Sequence, residues 1–369
     1  MTIRMSFCRP GVPLLALVLI LLFHPAQPCP ATPNPPARIY EEPSLPRKLS
    51  LCDEPIPLEK REVLEMLDRE VTIAAWDQAQ VFMWLKRVGR YFPYIEKRLR
   101  EEGLPDDLKY LAVAESSLIL GIRSPKGALG TWQFMPATGR QHGLRKDRSI
   151  DERKDFERAT DAALRYLKEL HEMFQSWHLA MAAYNCGYAR MKKEMEKQRA
   201  AGFFSLNLPR ETERYIYRIA AIKLILENPE AYGYRIPEER VYSPVPADRV
   251  VAKVRSSIPI VDIAEALGTD FKTIKELNPH IQGYHMPTGT YYVRVPEGAG
   301  KRLAQVLKKM DGKYAKRTVD IDGDVYIVQA GDTLSQISRR SGVPISTIKE
   351  LNDIRGSLIC IGQRLKLKP

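Results

Sequence analysis

Tyr110-Leu111-Ala112-Val113-Ala114-Glu115-Ser116-Ser117 is an uncharged run closed by one carboxylate, and Gly127-Ala128-Leu129-Gly130-Thr131-Trp132-Gln133-Phe134-Met135-Pro136 follows it as a short turn punctuated by two glycines. A carboxyl group desolvated by such neighbours has a raised pKa and can hold a proton near neutrality, as a general acid must. Taken alone, the first segment reads more readily as an exposed Glu at a helix end, and the motifs that follow reverse that preference. In the second, the glycines allow close backbone approach to a ligand, Trp132 offers an apolar face, and Gln133 both donates and accepts hydrogen bonds. These chemistries suit a sugar. Further on come Ala183-Tyr184-Asn185-Cys186-Gly187 and Glu211-Thr212-Glu213-Arg214-Tyr215, each weak by itself.

Outward from these motifs the pattern is helical. From about Glu59 to Leu226, apolar residues recur at three and four, as in Val81-x-x-Trp84-Leu85-x-x-Val88 and Leu164-x-x-Leu167-x-x-Leu170, and so share one face of a helix. Strong β-alternating runs are not found here, and the region is expected to be mostly α.

The motifs in this order resemble the soluble lytic transglycosylase family with the goose-type lysozyme fold, in its membrane-bound lytic murein transglycosylase D type. The resemblance runs from about Glu59 to Tyr234. It implies that Glu115 is the catalytic acid and base, and that Ser116 orients the acid or the substrate. It also implies that Gln133, Tyr184, Asn185 and Tyr215 line the cleft around the scissile bond. Cys186 stands where Ala is common after the Tyr-Asn pair, a change small in volume.

Ordinary glycosidases place a second carboxylate across the bond, as nucleophile or as base for a water. Glu211 is the best rival for that place, since it lies one helical turn before Tyr215 and would share its face. It also follows Pro209 at a helix start, where a carboxylate stabilises the exposed N–H groups. With one carboxylate the remaining route is substrate assistance. The resemblance implies cleavage of the β-1,4 bond between N-acetylmuramic acid and N-acetylglucosamine with closure of a 1,6-anhydro ring. A lysozyme-like hydrolase and a non-catalytic wall-binding protein are the alternative readings.

Beyond Ser243-Pro-Val-Pro246 the composition shifts to short Val-rich strands and small helical units. Thr273-Ile-Lys-Glu-Leu-Asn278 recurs as Thr347-Ile-Lys-Glu-Leu-Asn352, with matching flanks, which argues duplication. The second copy, from Tyr326 to Leu365, resembles the LysM module, a β-α-α-β fold that binds N-acetylglucosamine-containing glycans. That resemblance places a sugar groove between Gly331-Asp332-Thr333-Leu334 and the segment after Asn352. Asp332 or Thr333 can equally serve as a helix cap. The first copy has Ser257-Ile-Pro259-Ile-Val in place of that loop, which leaves a glycan binder and a spacer or docking module as equal readings.

At 369 residues the chain exceeds one ordinary core. Its 57 basic and 45 acidic residues suit an anionic polymer, such as nucleic acid or the bacterial wall. The basic residues are scattered and no nucleic-acid fold signature appears, so no nucleic acid is expected as partner. Peptidoglycan glycan strands are the expected partner. Arg4 and Arg9 precede the apolar run Leu14 to Phe23, a secretory signal pattern too short to span a bilayer with ease. Periplasmic or envelope localisation follows. Gln27-Pro28 before Cys29 match a lipid-attachment site poorly, and a cut near Ala26 or Ala31 is the alternative to an N-terminal anchor. The other cysteines, Cys8, Cys52, Cys186 and Cys360, show no metal-binding spacing, and no disulfide is assigned. The six histidines are dispersed, and neither phosphate loop nor dinucleotide fingerprint is present, so neither metal nor cofactor is expected.

The expected organisation is therefore a signal peptide (1–31), a Pro-rich spacer (32–58), a mostly α lysozyme-like catalytic domain (59–236), a degenerate LysM-like module (248–296), a linker holding at most one short helix (297–324) and a LysM module (325–369), the last two modules being small α+β units.

Overall fold

A computed structural model describes residues 44–316, 325–328, 332–360 and 363–368. The signal-peptide reading, Cys29 and Gly331 lie outside the described residues. The helical expectation holds. A small hairpin, β1 (Leu49–Leu51) and β2 (Glu54–Ile56), precedes α1 (Arg61–Trp76), α2 (Gln78–Glu102), α3 (Lys109–Ser116), α4 (Pro136–Gln141), α5 (Phe156–Phe174), α6 (Trp177–Cys186), α7 (Tyr188–Gln198) and α8 (Arg210–Glu227).

The helices form where the apolar spacing requires them. Val81, Trp84 and Leu85 of α2 and Leu164, Leu167 and Leu170 of α5 are all buried in one core. Each such side chain contributes about 1.5–3 kcal/mol by leaving water. Asp77 and Asp155 accept backbone N–H groups at the starts of α2 and α5, and Gly103 at φ 63° ends α2. Helix α8 is the central element, packed against α1, α3 and α6.

Residues 44–58 were expected to extend the Pro-rich spacer, but this stretch is part of the helical core. Leu51, Cys52 and Ile56 are buried there. Glu54 of β2 explains why: its carboxylate accepts from Ser176 Oγ at 2.8 Å, Trp177 N at 2.5 Å and His178 N at 3.2 Å. Trp177 N and His178 N are unpaired donors at the start of α6, Ser176 being its cap, and a carboxylate there also meets the positive end of the helix dipole. That partner lies more than a hundred residues away, so no local pattern announces it.

Two β-α-α-β units follow. In the first, β3 (Ala247–Val254) pairs antiparallel with β6 (Gly289–Pro296) around α9 (Ile260–Leu267) and α10 (Phe271–Leu277), while β4 (Ile258–Pro259) pairs with β5 (His285–Met286). Helix α11 (Gly300–Lys316) packs on β3 and buries Leu303 and Leu307 in this unit's core. The expected linker thus contains a 17-residue helix with an apolar stripe that the many lysines obscure in sequence. In the second unit, β7 (Val325–Ile327) pairs with β8 (Arg364–Lys366) around α12 (Leu334–Ser341) and α13 (Ile345–Leu351).

The repeat has a physical counterpart. Asn278 donates from Nδ2 to the carbonyls of Ile274 and Arg294 at 2.9 and 2.6 Å, and its Oδ1 accepts from Arg294 N at 2.7 Å. Asn352 does the same with Ile348 O, Lys366 O and Lys366 N at 2.7, 2.8 and 2.7 Å. In both copies the asparagine clasps the end of the second helix to the closing strand. Among the described residues, no helix is long and apolar enough to cross a membrane.

Candidate active site

Helix α3 brings Glu115 to its last turn, and the chain then reverses sharply. Ser117 at φ 52° and Leu118 at φ 60° both adopt the left-handed conformation, which costs a non-glycine residue about 1–2 kcal/mol. Arg87 Nη1 donates to Ser117 O at 3.0 Å, and Gln80 Nε2 donates to Ser117 Oγ, so the turn is held from α2. Leu118 is buried and anchors it from the other side.

The glycine-punctuated loop packs directly behind this turn. Gly130, at φ 84°, lies so close to the next segment that a Cβ there would sit 1.9 Å from Arg153 O. Arg153 is 1% exposed. Its Nε and Nη2 form a bidentate pair with Asp151 at 2.8 and 2.7 Å, and its Nη1 donates to Gly127 O and Phe134 O at 3.0 and 2.9 Å. A buried guanidinium with all these acceptors fixes both ends of the loop.

The residues expected to contact substrate are brought together, but several turn inward. Ser116 is buried, and its hydroxyl contacts Thr131 O at 2.8 Å and Ala112 O at 3.2 Å. Tyr184, on α6, donates to Trp132 O at 2.7 Å. Gln133, at φ 45°, donates from Nε2 to Gly130 O at 2.8 Å and Ile122 O at 3.1 Å. Trp132 has no exposed face to offer a sugar: it is fully buried and donates from Nε1 to Thr160 Oγ1 of α5 at 2.9 Å. Asn185 is half-buried, and its Oδ1 accepts from Thr212 Oγ1 at 3.1 Å. Among the described residues, its Nδ2 has no hydrogen-bond partner.

Tyr215, buried on α8, donates its hydroxyl to Glu115 Oε1. Burial pushes the Glu115 carboxyl up to about 7, against the opposing effects of that hydrogen bond and of the Arg218 charge, while Glu211 adds a small upward push. The phenols of Tyr184 and Tyr215 are held well above their ordinary range, first by burial and then by Glu115, so both remain neutral donors. Glu211 stands in the first turn of α8, exposed, with Lys126 Nζ 3.6 Å away. The site therefore offers one sheltered proton carrier with a neutral phenol beside it.

In the second β-α-α-β unit, Thr333 caps α12, accepting from Gln336 N at 3.3 Å while Gln336 Oε1 accepts from Thr333 N at 3.0 Å. Asp332 accepts from Tyr326 Oη at 2.5 Å and Arg340 Nη1 at 2.9 Å, and Leu334 is buried. These side chains and that of Asn352 are engaged in the unit's own structure. Any glycan groove here would have to present mainly backbone groups.

Sequence reasoning missed Arg153 and Arg218. Arg218 lies three residues after Tyr215 on α8, and this spacing places it near the acid. Arg153 has its charge partner Asp151 only two residues away, but its contacts to Gly127 O and Phe134 O come from a loop further back in the chain and leave no local signal.

The family model for the transglycosylase SLT domain matches residues 92–207, that for the lytic transglycosylase MltD LysM-like domain matches 249–312, and that for the LysM domain matches 326–368. The first range contains Glu115, Gln133, Tyr184 and Asn185, and stops before Tyr215. The chain is 32% identical over 294 residues to membrane-bound lytic murein transglycosylase D of Escherichia coli K12, covering 76% of this chain and 64% of that relative. It is 32% identical over 111 residues to a putative tributyltin chloride resistance protein of an Alteromonas species, covering 29% of this chain and 54% of that one. Among solved structures, the 70 kDa soluble lytic transglycosylase of Escherichia coli matches at 20% identity and a TM-score of 0.34, covering 44% of this chain and 30% of that one. The chain thus spans 64% of the length of its E. coli relative, less than two thirds, and its similarity to membrane-bound lytic murein transglycosylase D goes with an SLT domain match followed by MltD-type and LysM-type module matches.

Proposed function

We propose that the chain is an exported peptidoglycan lytic transglycosylase, and the observation that carries this reading is the sheltered Glu115 carboxyl with the Tyr215 hydroxyl on its Oε1. Near neutrality Glu115 holds a proton. It gives that proton to the glycosidic oxygen between N-acetylmuramic acid and N-acetylglucosamine as the C1–O bond breaks, and is left as carboxylate. The muramyl C6 hydroxyl then bonds to C1, and its proton returns to Glu115. The product carries a 1,6-anhydro ring, and no water is consumed.

Tyr215 serves the second step by steadying the carboxylate formed in the first, and Arg218 adds a favourable charge. Asn185 Nδ2 is free to hold a sugar substituent. Ser116, Gln133 and Tyr184 act one layer back, fastening the loop that forms the floor of the cleft, so that reacting groups are held in register. The C-terminal units tether the enzyme to the wall and raise its local concentration on an insoluble polymer. Export rests on the basic and apolar N-terminal segment, and residence in the envelope follows from it.

The test is digestion of purified sacculi by the whole chain and by Glu115→Gln. The proposal requires solubilised muropeptides from the first and none above background from the second. Equal release from both would remove Glu115 from the chemistry.

A further inference from the structure

The first β-α-α-β unit is joined to the catalytic helices by main chain, apolar contact and charge together. Ile281 pairs with Ile150 as an antiparallel bridge; Asp151 N donates to His280 O at 2.9 Å, and Gln282 N to Ser149 O at 2.8 Å. Ile150 belongs to the catalytic part of the chain, yet it is fully buried in the core of the unit. Three basic side chains of the unit converge on the start of α5. Arg249 Nε lies 2.9 Å from Glu157, Arg294 Nη2 pairs with the other oxygen of Glu157, and His280 Nδ1 is 3.7 Å from Asp155.

The segment caught in this grip, 149–157, is the one that holds the active-site loop. Its Asp151 orients Arg153, whose guanidinium binds Gly127 O and Phe134 O, and its Arg153 carbonyl lies under Gly130. The loop in turn supplies Thr131 O to Ser116 and Trp132 O to Tyr184. Hydrogen bonds joined by short stretches of main chain therefore lead from the unit to the residue beside Glu115.

We infer that this unit is a brace for the catalytic site, locked on through Glu157 with Arg249 and Arg294, and that Arg153 is the positioning residue through which it stiffens the 127–136 loop. The inference rests on the proposed function for its catalytic consequence, while its structural part can be read without turnover.

Hydrogen exchange resolved by mass spectrometry on the whole chain tests it. Two variants loosen the lock, Arg249→Ala with Arg294→Ala, and Glu157→Arg, which sets three cations against one another. The brace predicts roughly tenfold faster exchange at the amides of Asp151 and Gln282 and also at Leu129, Gly130 and Gln133, whose bonds close the loop. It further predicts a fall in kcat with little change in KM, and recovery of protection when Glu157→Arg is combined with Arg249→Glu and Arg294→Glu. Faster exchange at 151 and 282 with an unaltered loop would overturn the brace. Unaltered exchange at 151 and 282 in both variants would overturn Glu157 as the lock. Loop exchange is independent of any sugar, so its result stands even if sacculi prove not to be the substrate.

Discussion

The hydroxyl of Tyr215 donates to Oε1 of Glu115, one hundred residues earlier in the chain. The two effects on that carboxyl oppose each other: enclosure favours the protonated acid needed to start the reaction, and the phenol favours the anion needed midway. Enclosure dominates, leaving the group at about 7.

The activity of the resting enzyme should therefore fall as pH rises through about 7, because the acid loses its proton. In Tyr215→Phe the carboxylate loses a hydrogen bond, so its pKa rises and the alkaline limb should move upward by about one unit even as the maximal rate falls. A kcat/KM profile against pH measures both. An alkaline limb that moves downward would contradict this role for the phenol.

Glu115 also costs stability. Its folded pKa lies above the ordinary Glu value of about 4.3, so its favourable contribution is complete below that pH and is lost as pH rises through about 7. Glu115→Gln has no such loss. Relative to the wild type, it should be about 1–3 kcal/mol more stable at pH 8 and nearly equal at pH 4, as measured by denaturant unfolding.

Much of this was legible in the chain. The three-and-four spacing of Val81, Trp84 and Leu85 gave the helix and its buried face, and the repeated Thr-Ile-Lys-Glu-Leu-Asn marked two equivalent units. What could not be read was which way a polar or aromatic side chain would turn. Trp132 looks like a sugar platform until Thr160 on α5 is seen to accept its N–H, and Ser116 looks like a substrate contact until Thr131 O is seen above it. Glu54 had no signal because its partners lie more than a hundred residues away, and Arg153 pairs locally with Asp151 but reaches Gly127 O and Phe134 O only through tertiary contact. Periodicity reports on burial along one element, whereas these side chains are placed by the meeting of two.

The asparagine clasp supplies a further expectation. Asn352→Ala removes one donor and one acceptor contact between the end of α13 and β8, together with one donor contact back to Ile348 O within α13, and should lower the stability of the second unit by about 1–3 kcal/mol. Asn278→Ala should do the same to the first unit. Loss of binding to insoluble peptidoglycan by Asn352→Ala should track unfolding of the unit, followed by the exchange of its amides. A fully folded Asn352→Ala unit that no longer binds would instead mean that the side chain touches the glycan.

Gly130→Ala should be among the most damaging small changes in the catalytic part, because its Cβ would meet a main-chain carbonyl and not a movable side chain. With the left-handed φ of 84° added, a loss of more than about 2 kcal/mol is expected by thermal or denaturant unfolding. Gly127→Ala has open space around its Cβ, shares the positive φ, and should cost less.

The central claim is that one proton carrier suffices because the sugar supplies its own nucleophile. Mass spectrometry of the muropeptides released by the whole chain tests this most directly, since a ring-closed end is lighter by one water than a hydrolysed end. The account predicts anhydro ends as the dominant product from the first time point. Reducing ends carrying a full water would contradict it, and would turn attention to Glu211 or an activated water as the missing second group.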